Sequence, residues 1–456
     1  MSATKVESFL ESCLTGLPVG SDRSPLPKVT PVDASIIRTT IGPLLLMMST
    51  PVLMLALWMS VRFHDGSLVD FAKAGPEVWW RQTPAPTLTA VAIILGWVVI
   101  QAILLQWLPG KRFLGPVTPA GVQPEYKLNG IAAWFITHIG LFGIAWPLGL
   151  LDPGKFYDYH GSVLVTLCIS AFVFCIFLAW KGRHYPTARD NVLTGYPILD
   201  FFQGPELHPR LFGVNLKQLI NCRVSMMGWS VIAICLAVAQ WERHHVISTS
   251  MIAGVTVLVV YLFKFFWWES GYFTSLDIMH DRFGYYICWG VLAWVPSAYE
   301  IPFMYLVDHP IQWSVPVAAG MVVFGILSIW VNYDADAQRQ RVRATNGETT
   351  IWGKRPETIR APYTTADGQK RESLLLVSGW WGVARHFHYV PELALAFAWT
   401  APAGFSHFLP WFYWVFLTIL LFDRSVRDDK RCSAKYGDAY QEYKKRVPYR
   451  VIPYVF

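Results

Sequence analysis

The sequence predicts an all-α polytopic membrane protein, a bundle of about ten transmembrane helices. Three observations carry that class. Hydrophobic residues make up 54% of the 456 positions and charged residues 15%, whereas a soluble domain carries about a quarter charged. The apolar residues gather into runs of the roughly 20 residues that a bilayer-crossing helix needs. With 22 Trp and 20 Tyr the aromatic share reaches 15%, which suits many membrane interfaces, although buried cores use the same rings.

Four runs fill the first 180 residues, at 40–62, 87–109, 129–151 and 161–180. Four more follow at 223–241, 246–268, 283–306 and 312–333. The stretches 390–403 and 405–422 are short and broken, and are expected to form a re-entrant or double-crossing hairpin. Pro51, Pro147, Pro296, Pro402 and Pro410 lie in or beside these runs, so kinked helices are expected, with neighbours meeting the freed backbone groups. The opening MSATKVESFLESCLTGLPVG has neither the basic start nor the apolar core of a cleaved signal peptide. Residues 1–38 therefore read as a cytoplasmic segment, with insertion left to the later spans.

The net charge of +7 does not mark a nucleic-acid binder, because the basic residues sit between apolar runs rather than in one soluble module. Placing loop 181–222 in the cytoplasm, with Lys181, Arg183, Arg189, Arg210 and Lys217, sends Arg38, Lys111, Arg112 and the stretches 334–375 and 423–456 to the same side. That is the positive-inside bias. The connections 62–86, 152–160, 242–245 and 307–311 fall on the far side and carry only Arg62, Lys73, Arg81, Lys155 and Arg243. The seven cysteines, Cys13 among them, are scattered without a C-x-x-C pair, so neither a disulfide framework nor a zinc site follows.

Four polar clusters offer chemistry. In DADAQRQRVRATNG, Arg339 and Arg343 are four apart and share a helix face, where two guanidinium forks can grip a phosphate; a basic anchor on lipid headgroups uses the same residues. In SGWWGVARHFHYVPE, Arg385, His386, His388 and Tyr389 lie among apolar residues, where polar groups need partners; an interfacial aromatic belt reads the same way. In the tail that begins DRSVRDDKRCSAKYG, Asp428, Lys435, Tyr436 and Tyr443 supply carboxylate, cation and stacking groups for a nucleotide, or else a basic amphipathic helix lying on the membrane. In FFWWESGYFTSLDIMHDRFGYY, Glu269, Asp277, His280 and Asp281 stand at span ends, placed either to deliver a proton or to meet water at the membrane boundary. The signatures G-x-G-x-x-G, the Walker lysine loop, H-E-x-x-H and G-x-S-x-G are absent.

From about residue 195 to the end the chain resembles the sterol reductase family. The resemblance rests on GPELHPR (204–210), KFFWWESGY (264–272), DIMHDRFGYYICWG (277–290), SGWWGVARHFHYVPE (378–392), RDDKRCSAKYG (427–437) and VPYR (447–450). It is closer to the Δ7 members than to the Δ14 members, which tend to carry Pro where this chain has Phe387. The resemblance implies N-terminal helices and a cytoplasmic loop over 39–222, then a C-terminal cofactor-binding half, 223–456, with NADPH and sterol pockets. It implies that Arg339 and Arg343 form the basic pair of the NADPH site and that Leu376, Trp381, His388 and Tyr389 line its pocket. Asp428, Cys432, Ser433, Ala434, Lys435, Tyr436 and Tyr443 would lie near the nucleotide; His388 stands where many members have Asn.

The implied reaction is reduction of the C7–C8 double bond of a Δ5,7-sterol, in which an acid protonates the alkene and hydride quenches the cation in a water-poor pocket. Glu269, His280, Asp281 and Tyr299 are the candidate donors or relay groups. The implied setting is the endoplasmic reticulum membrane, with the cofactor site facing the cytoplasm. The implied partners are a sterol drawn from the bilayer, membrane lipids and other enzymes of sterol biosynthesis. A Δ14-sterol reductase, an isoprenylcysteine-type methyltransferase and a non-catalytic sterol-binding protein are competing readings. S-adenosylmethionine has no 2′-phosphate for Arg339 and Arg343 to grip, and a non-catalytic protein would not need the nucleotide-site residues that this chain retains.

Overall fold

In hydrocarbon a backbone amide or carbonyl must find its partner within the chain, and a helix supplies one residue by residue. The computed structural model describes residues 34–118, 121–188, 190–364, 368 and 370–456; the opening stretch, with Cys13, and Arg189 lie outside them. In chain order its main helices are α1 (Ile37–Phe63), α2 (Leu68–Gln82), α3 (Leu88–Trp107), α4 (Gly130–Ala145), α5 (Phe156–His184) and α6 (Gln218–His244). They continue as α7 (Thr249–Trp267), α8 (Tyr285–Asp308), α9 (Val315–Ala344), α10 (Tyr389–Thr400), α11 (Leu409–Tyr436) and α12 (Asp438–Arg446). Among the described residues eight helices are long and apolar enough to cross a membrane, all of these except α2, α4, α10 and α12. The protein is therefore a polytopic, mainly helical membrane protein.

Two spans differ from their sequence reading. The run 129–151 forms only the 16-residue α4, which rises about 24 Å and is shorter than the roughly 30 Å hydrocarbon core. It ends in turns around Pro147 and Gly149. The stretch 405–422, read as broken, belongs to the 28-residue α11, because the helix runs on past Asp423 into residues that hydropathy assigned to a tail. Three antiparallel hairpins also escaped the all-α reading: β1–β2 (Lys111–Leu114, Glu125–Leu128), β3–β4 (Arg210–Leu211, Val214–Asn215) and β5–β6 (Thr358–Thr364, Lys370–Leu376).

Contacts divide the chain into two compact units, one of residues up to Ile247 with Leu262–Pro310, the other of Ser248–Tyr261 with Ile311–Phe456. In the first unit α6 and α8 are largely buried, whereas α1, α3 and α5 expose stripes such as Leu95, Val99 and Ile103 at helical spacing, as helices solvated by lipid do. Pro51 cannot bond the Met47 carbonyl one turn back, and the Tyr285 hydroxyl donates to that carbonyl at 3.4 Å. The Asn129 amide donates to the last carbonyls of α3, those of Leu104, Leu105 and Leu108, at 3.0 to 3.2 Å.

The first unit has two polar faces. At one, Arg210 Nη2 donates to the Glu125 carbonyl at 3.0 Å and Gln218 Nε2 to the Lys127 carbonyl at 2.8 Å, so the basic loops after α3 and α5 lie together. At the other, Arg243 meets Asp158 at 2.8 Å and Asp308 at 3.5 Å, and Arg62 approaches the same two carboxylates. Both guanidinium groups lie over the Tyr157 ring, 4.7 and 4.8 Å from its centre. Lys155 pairs with Asp152 and Arg81 with Glu77. Four of the five cations that run against the positive bias are thus offset by acids. The short α4 still joins the two faces, since Asn129 caps α3 at one and Gly154 packs on Glu242 at the other.

Gly204 has φ +85°, and a Cβ added at Gly284 would meet the backbone of Gln203 and Gly204. Gly284→Ala is therefore expected to abolish the monodisperse peak of detergent-extracted protein in fluorescence-detected size exclusion, while Gly290→Ala, with open space around it, retains the peak.

Candidate functional site

In the second unit α11 presents Tyr413, Leu417, Leu421, Ser425 and Asp429 as a buried stripe at four-residue spacing, which carries a carboxylate to the end of an apolar face. Asp429 is the hub of a buried hydrogen-bond cluster. Arg385 holds it through two bonds, Nε to Oδ1 at 3.1 Å and Nη2 to Oδ2 at 3.2 Å. Tyr440 of α12 donates to it at 2.6 Å and Arg450 at 3.3 Å. Arg385 Nη1 also donates to the carbonyls of Val447 and Pro448, both at 2.8 Å. The main chain of Arg385 and His386 donates to the carbonyls of Tyr449 and Arg450. The motifs around 385, 429 and 447 thus form one piece of architecture.

Above it stands the C-terminal part of α9. Trp381 Nε1 donates to the Ala335 carbonyl at 2.7 Å, which lays its ring under Arg339, 4.2 Å away. Arg339 pairs with Asp336 at 2.8 Å. Arg343, one turn on, donates Nε to the Leu374 carbonyl of β6 at 3.3 Å. Tyr443 reaches the Trp381 carbonyl at 3.3 Å, and burial pushes its hydroxyl pKa up. His388 lies against Trp381 and Tyr389, with ring centres 5.0 and 4.2 Å away. Asn332 of α9 and Glu392 of α10 are joined at 3.0 Å, and Tyr261 donates to Glu392 at 3.1 Å. Asp428 pairs with Arg431 at 2.5 Å, and the Cys432 thiol lies 3.9 Å from it. Lys435 sits over Tyr363 of β5 at 4.1 Å and over Tyr436 at 5.0 Å.

Arg339, Arg343, Leu376, Trp381, His388, Tyr389 and the 428–443 segment all belong to this unit. Asp429 and Tyr363 had no place in the sequence reading. Asp429 follows Asp428 directly, and only the α11 periodicity tells the buried carboxylate from the exposed side. Tyr363 arrives on β5, in a stretch, TIRAPYT, that carries no chemical motif.

His388 Nδ1 and His386 Nε2 are buried without a hydrogen-bond partner among the described residues. Burial pushes the His388 imidazole down to about 3. Burial, with help from Arg385 and Arg339, takes His386 down to about 4. Both rings are neutral at pH 7, and each holds an unused nitrogen.

The four acid or relay candidates lie in the first unit. Glu269 forms a buried ion pair with Arg223 and accepts from the Gly130 amide at 2.8 Å. Lys217 donates to the main-chain carbonyls of Asp281 and Ile278. His280 is exposed, and the Asp277 side chain is outside those described. Tyr299 lies edge-on to Trp229, 5.2 Å between ring centres, where α8 breaks between Val295–Ala298 and Ile301–Asp308. The next residue, Glu300, was not singled out from sequence. It is fully buried, and neither carboxylate oxygen has a hydrogen-bond partner among the described residues. His160 Nε2 meets the Pro296 carbonyl at 2.8 Å, within the same break.

A model of the ergosterol biosynthesis ERG4/ERG24 family matches residues 35–456. The chain is 45% identical to a 7-dehydrocholesterol reductase of Arabidopsis thaliana, over 92% of this chain and 99% of that protein. It is 36% identical to a 7-dehydrocholesterol reductase of Xenopus laevis, over 83% and 82%. Against a Delta(14)-sterol reductase of Methylotuvimicrobium alcaliphilum the identity is 34%, over 91% and 94%.

The two depressed imidazoles make stability pH-dependent. The unfolded chain takes up protons near the usual value of 6.5, and the folded chain only near 4 and 3. Stability is therefore full above pH 6.5 and falls as pH drops toward 4. Melting temperatures measured from pH 7.5 to 4.5 are expected to fall less steeply for His386→Asn than for the wild type; parallel curves would refute the burial argument.

Proposed function

Because the chain belongs to the ERG4/ERG24 family of sterol reductases, we propose that it uses NADPH to reduce the C7–C8 double bond of Δ5,7-sterols. The observation that carries the cofactor assignment is the set around α9. Among the described residues Arg339 bonds only Asp336 and Arg343 only the Leu374 carbonyl, which leaves guanidinium donors beside the flat Trp381 ring and the His388 nitrogen that has no partner there. That set fits a dinucleotide that bears an extra phosphate. Arg339 and Arg343 would hold phosphate, Leu376, Trp381, His388 and Tyr389 would line the pocket, and Asp428, Cys432 to Tyr436 and Tyr443 would flank the nucleotide. NADPH, when bound, supplies hydride.

A sterol diene that carries no electron-withdrawing group does not accept hydride until a proton has been added, so the protein must provide an acid away from water. Glu269 is committed to Arg223 and Gly130, and His280 is exposed. Tyr299 stands at a helix break beside the buried Glu300, which has no hydrogen-bond partner among the described residues, and this pair is the favoured acid. The loop asymmetry and the family support an endoplasmic reticulum setting with the basic loops in the cytoplasm. Sterol and lipids come from the bilayer, alongside partner enzymes of sterol biosynthesis.

Purified protein given NADPH and 7-dehydrocholesterol is expected to yield cholesterol by mass spectrometry. Turnover of a Δ14-sterol with none of the Δ5,7-sterol would reassign the bond. Arg339→Ala and Arg343→Ala are each expected to raise KM for NADPH by about tenfold or more, with KM for NADH little changed, as befits a lost charge-assisted contact to phosphate.

Tyr299→Phe and Glu300→Gln are expected to lower kcat by about 10²-fold or more at unchanged KM for NADPH, the usual scale of general acid catalysis. An unchanged kcat in both would return the role to Glu269, His280 or Asp281.

A further inference from the structure

The first unit holds a cavity of about 260 Å³ outside every residue discussed as catalytic or cofactor-binding. It lies among β1–β2, β3–β4 and the C-terminal end of α3, and Arg112, Lys127, Arg210, Glu125 and Asn215 are among its lining residues. The cavity is far larger than the ~30 Å³ share of one water molecule.

Its polar groups are mostly donors. Arg112 pairs with Glu125, the one carboxylate in the lining. Arg210 donates to the Glu125 and Gly213 carbonyls, and Lys127 Nζ donates to the Gln106 carbonyl at 2.8 Å. Among the described residues neither cation meets a carboxylate, so ion pairing there leaves their charge uncompensated. Asn215 is about 95% buried, and its Oδ1 accepts from the Gln218 amide at 3.1 Å. Its Nδ2 is buried and has no partner among the described residues. A buried donor left unbonded costs about 1–3 kcal/mol unless something occupies the space beside it. A cation entering here would find one carboxylate already engaged, whereas an anion would find two cations with no carboxylate partner among the described residues, and a wall residue, Asn215, that has a hydrogen-bond donor to spare.

The position narrows the class of anion. The exposed apolar stripe of α3, Leu95, Val99 and Ile103, faces lipid and leads to Gln106 at the cavity wall, and Trp107 beside it is 73% exposed. The cavity thus opens where α3 leaves the hydrocarbon, at headgroup depth.

We propose that this cavity binds a phosphate ester, carried by an anionic phospholipid whose chains lie along α3 or by a small soluble phosphate. Arg210 and Lys127 supply the charge, and Asn215 Nδ2 supplies a directed hydrogen bond. Glu125 moderates the site by holding Arg112.

Native mass spectrometry of the full-length protein in detergent tests this, with phosphatidic acid, phosphatidylcholine and glycerol 3-phosphate as probes. Wild type is expected to retain phosphatidic acid several-fold over phosphatidylcholine. Arg210→Gln with Lys127→Gln should reduce that preference by about tenfold, the scale of two basic contacts near a membrane surface. Glu125→Gln should increase it, a change of opposite sign that a merely damaged fold would not produce. Phosphatidic acid retained without glycerol 3-phosphate identifies a lipid site; retention of both identifies a site for phosphate esters in general. Equal retention of the two lipids by wild type, or a preference that survives the double substitution, would overturn the proposal.

Discussion

Lipid offers no hydrogen bonds, so each polar group at membrane depth must be satisfied by the chain itself or remain at a cost of several kcal/mol. Much of the first unit reads as an answer to that constraint. Arg223 holds Glu269 and, through Nη2, the Asn129 side-chain oxygen Oδ1 at 3.0 Å; the Asn129 amide nitrogen in turn donates to the last carbonyls of α3. One chain of bonds therefore joins the ends of α3, α4, α6 and α7. Removing Arg223 or Glu269 alone would strand a buried charge, a loss of about 3–5 kcal/mol. The same constraint explains the Tyr285 bond at the Pro51 kink and the carboxylates that accompany Arg62 and Arg243.

The constraint is not met everywhere, and four of the residues where it fails bear on function. Glu300, the free nitrogens of His386 and His388, and Asn215 Nδ2 are buried polar groups with no partner among the described residues. Native proteins retain such groups where a ligand or a reaction uses them. Each now has a proposed use: Glu300 beside Tyr299 for the proton, the histidines for the nucleotide, and Asn215 for a phosphate ester.

Hydropathy made most of the spans legible, because a run of 20 apolar residues has few other solutions. It failed where one helix changes solvent along its length: α11 keeps a buried stripe to Asp429 while its other face turns charged after Asp423, and a window average sees a break. The hairpins were illegible for a related reason. In β5–β6 the strand Lys370–Leu376 runs polar and then apolar without alternation, and the buried Ile359, Ala361 and Leu375 are placed by packing on Tyr440, Tyr443 and Val447, some 65 or more residues away. The cofactor candidates were recoverable because they fall in long motifs. Glu300 was not, since a lone Glu between Tyr299 and Ile301 looks like a span interruption until its burial is known.

Saturation of donors separates arginines that hold the fold together from those available to a ligand. Arg385 commits Nε, Nη2 and both hydrogens of Nη1 to Asp429 and two carbonyls, so four of its five N–H groups are spent. It cannot also grip a phosphate, however close it lies in sequence to the histidines. Arg339 makes one ion pair and lies on a ring face, and Arg343 gives one N–H to a carbonyl, so both keep most of their donors. Among the carboxylates, Glu269 is engaged by Arg223 and the Gly130 amide, while Glu300 has no partner among the described residues. Proximity in sequence groups Arg385 with His388, and Glu269 with Asp281. The count of used and unused hydrogen bonds among the described residues regroups them: Arg385 and Glu269 are engaged, whereas Arg339, Arg343 and Glu300 keep unused groups for the chemistry proposed above.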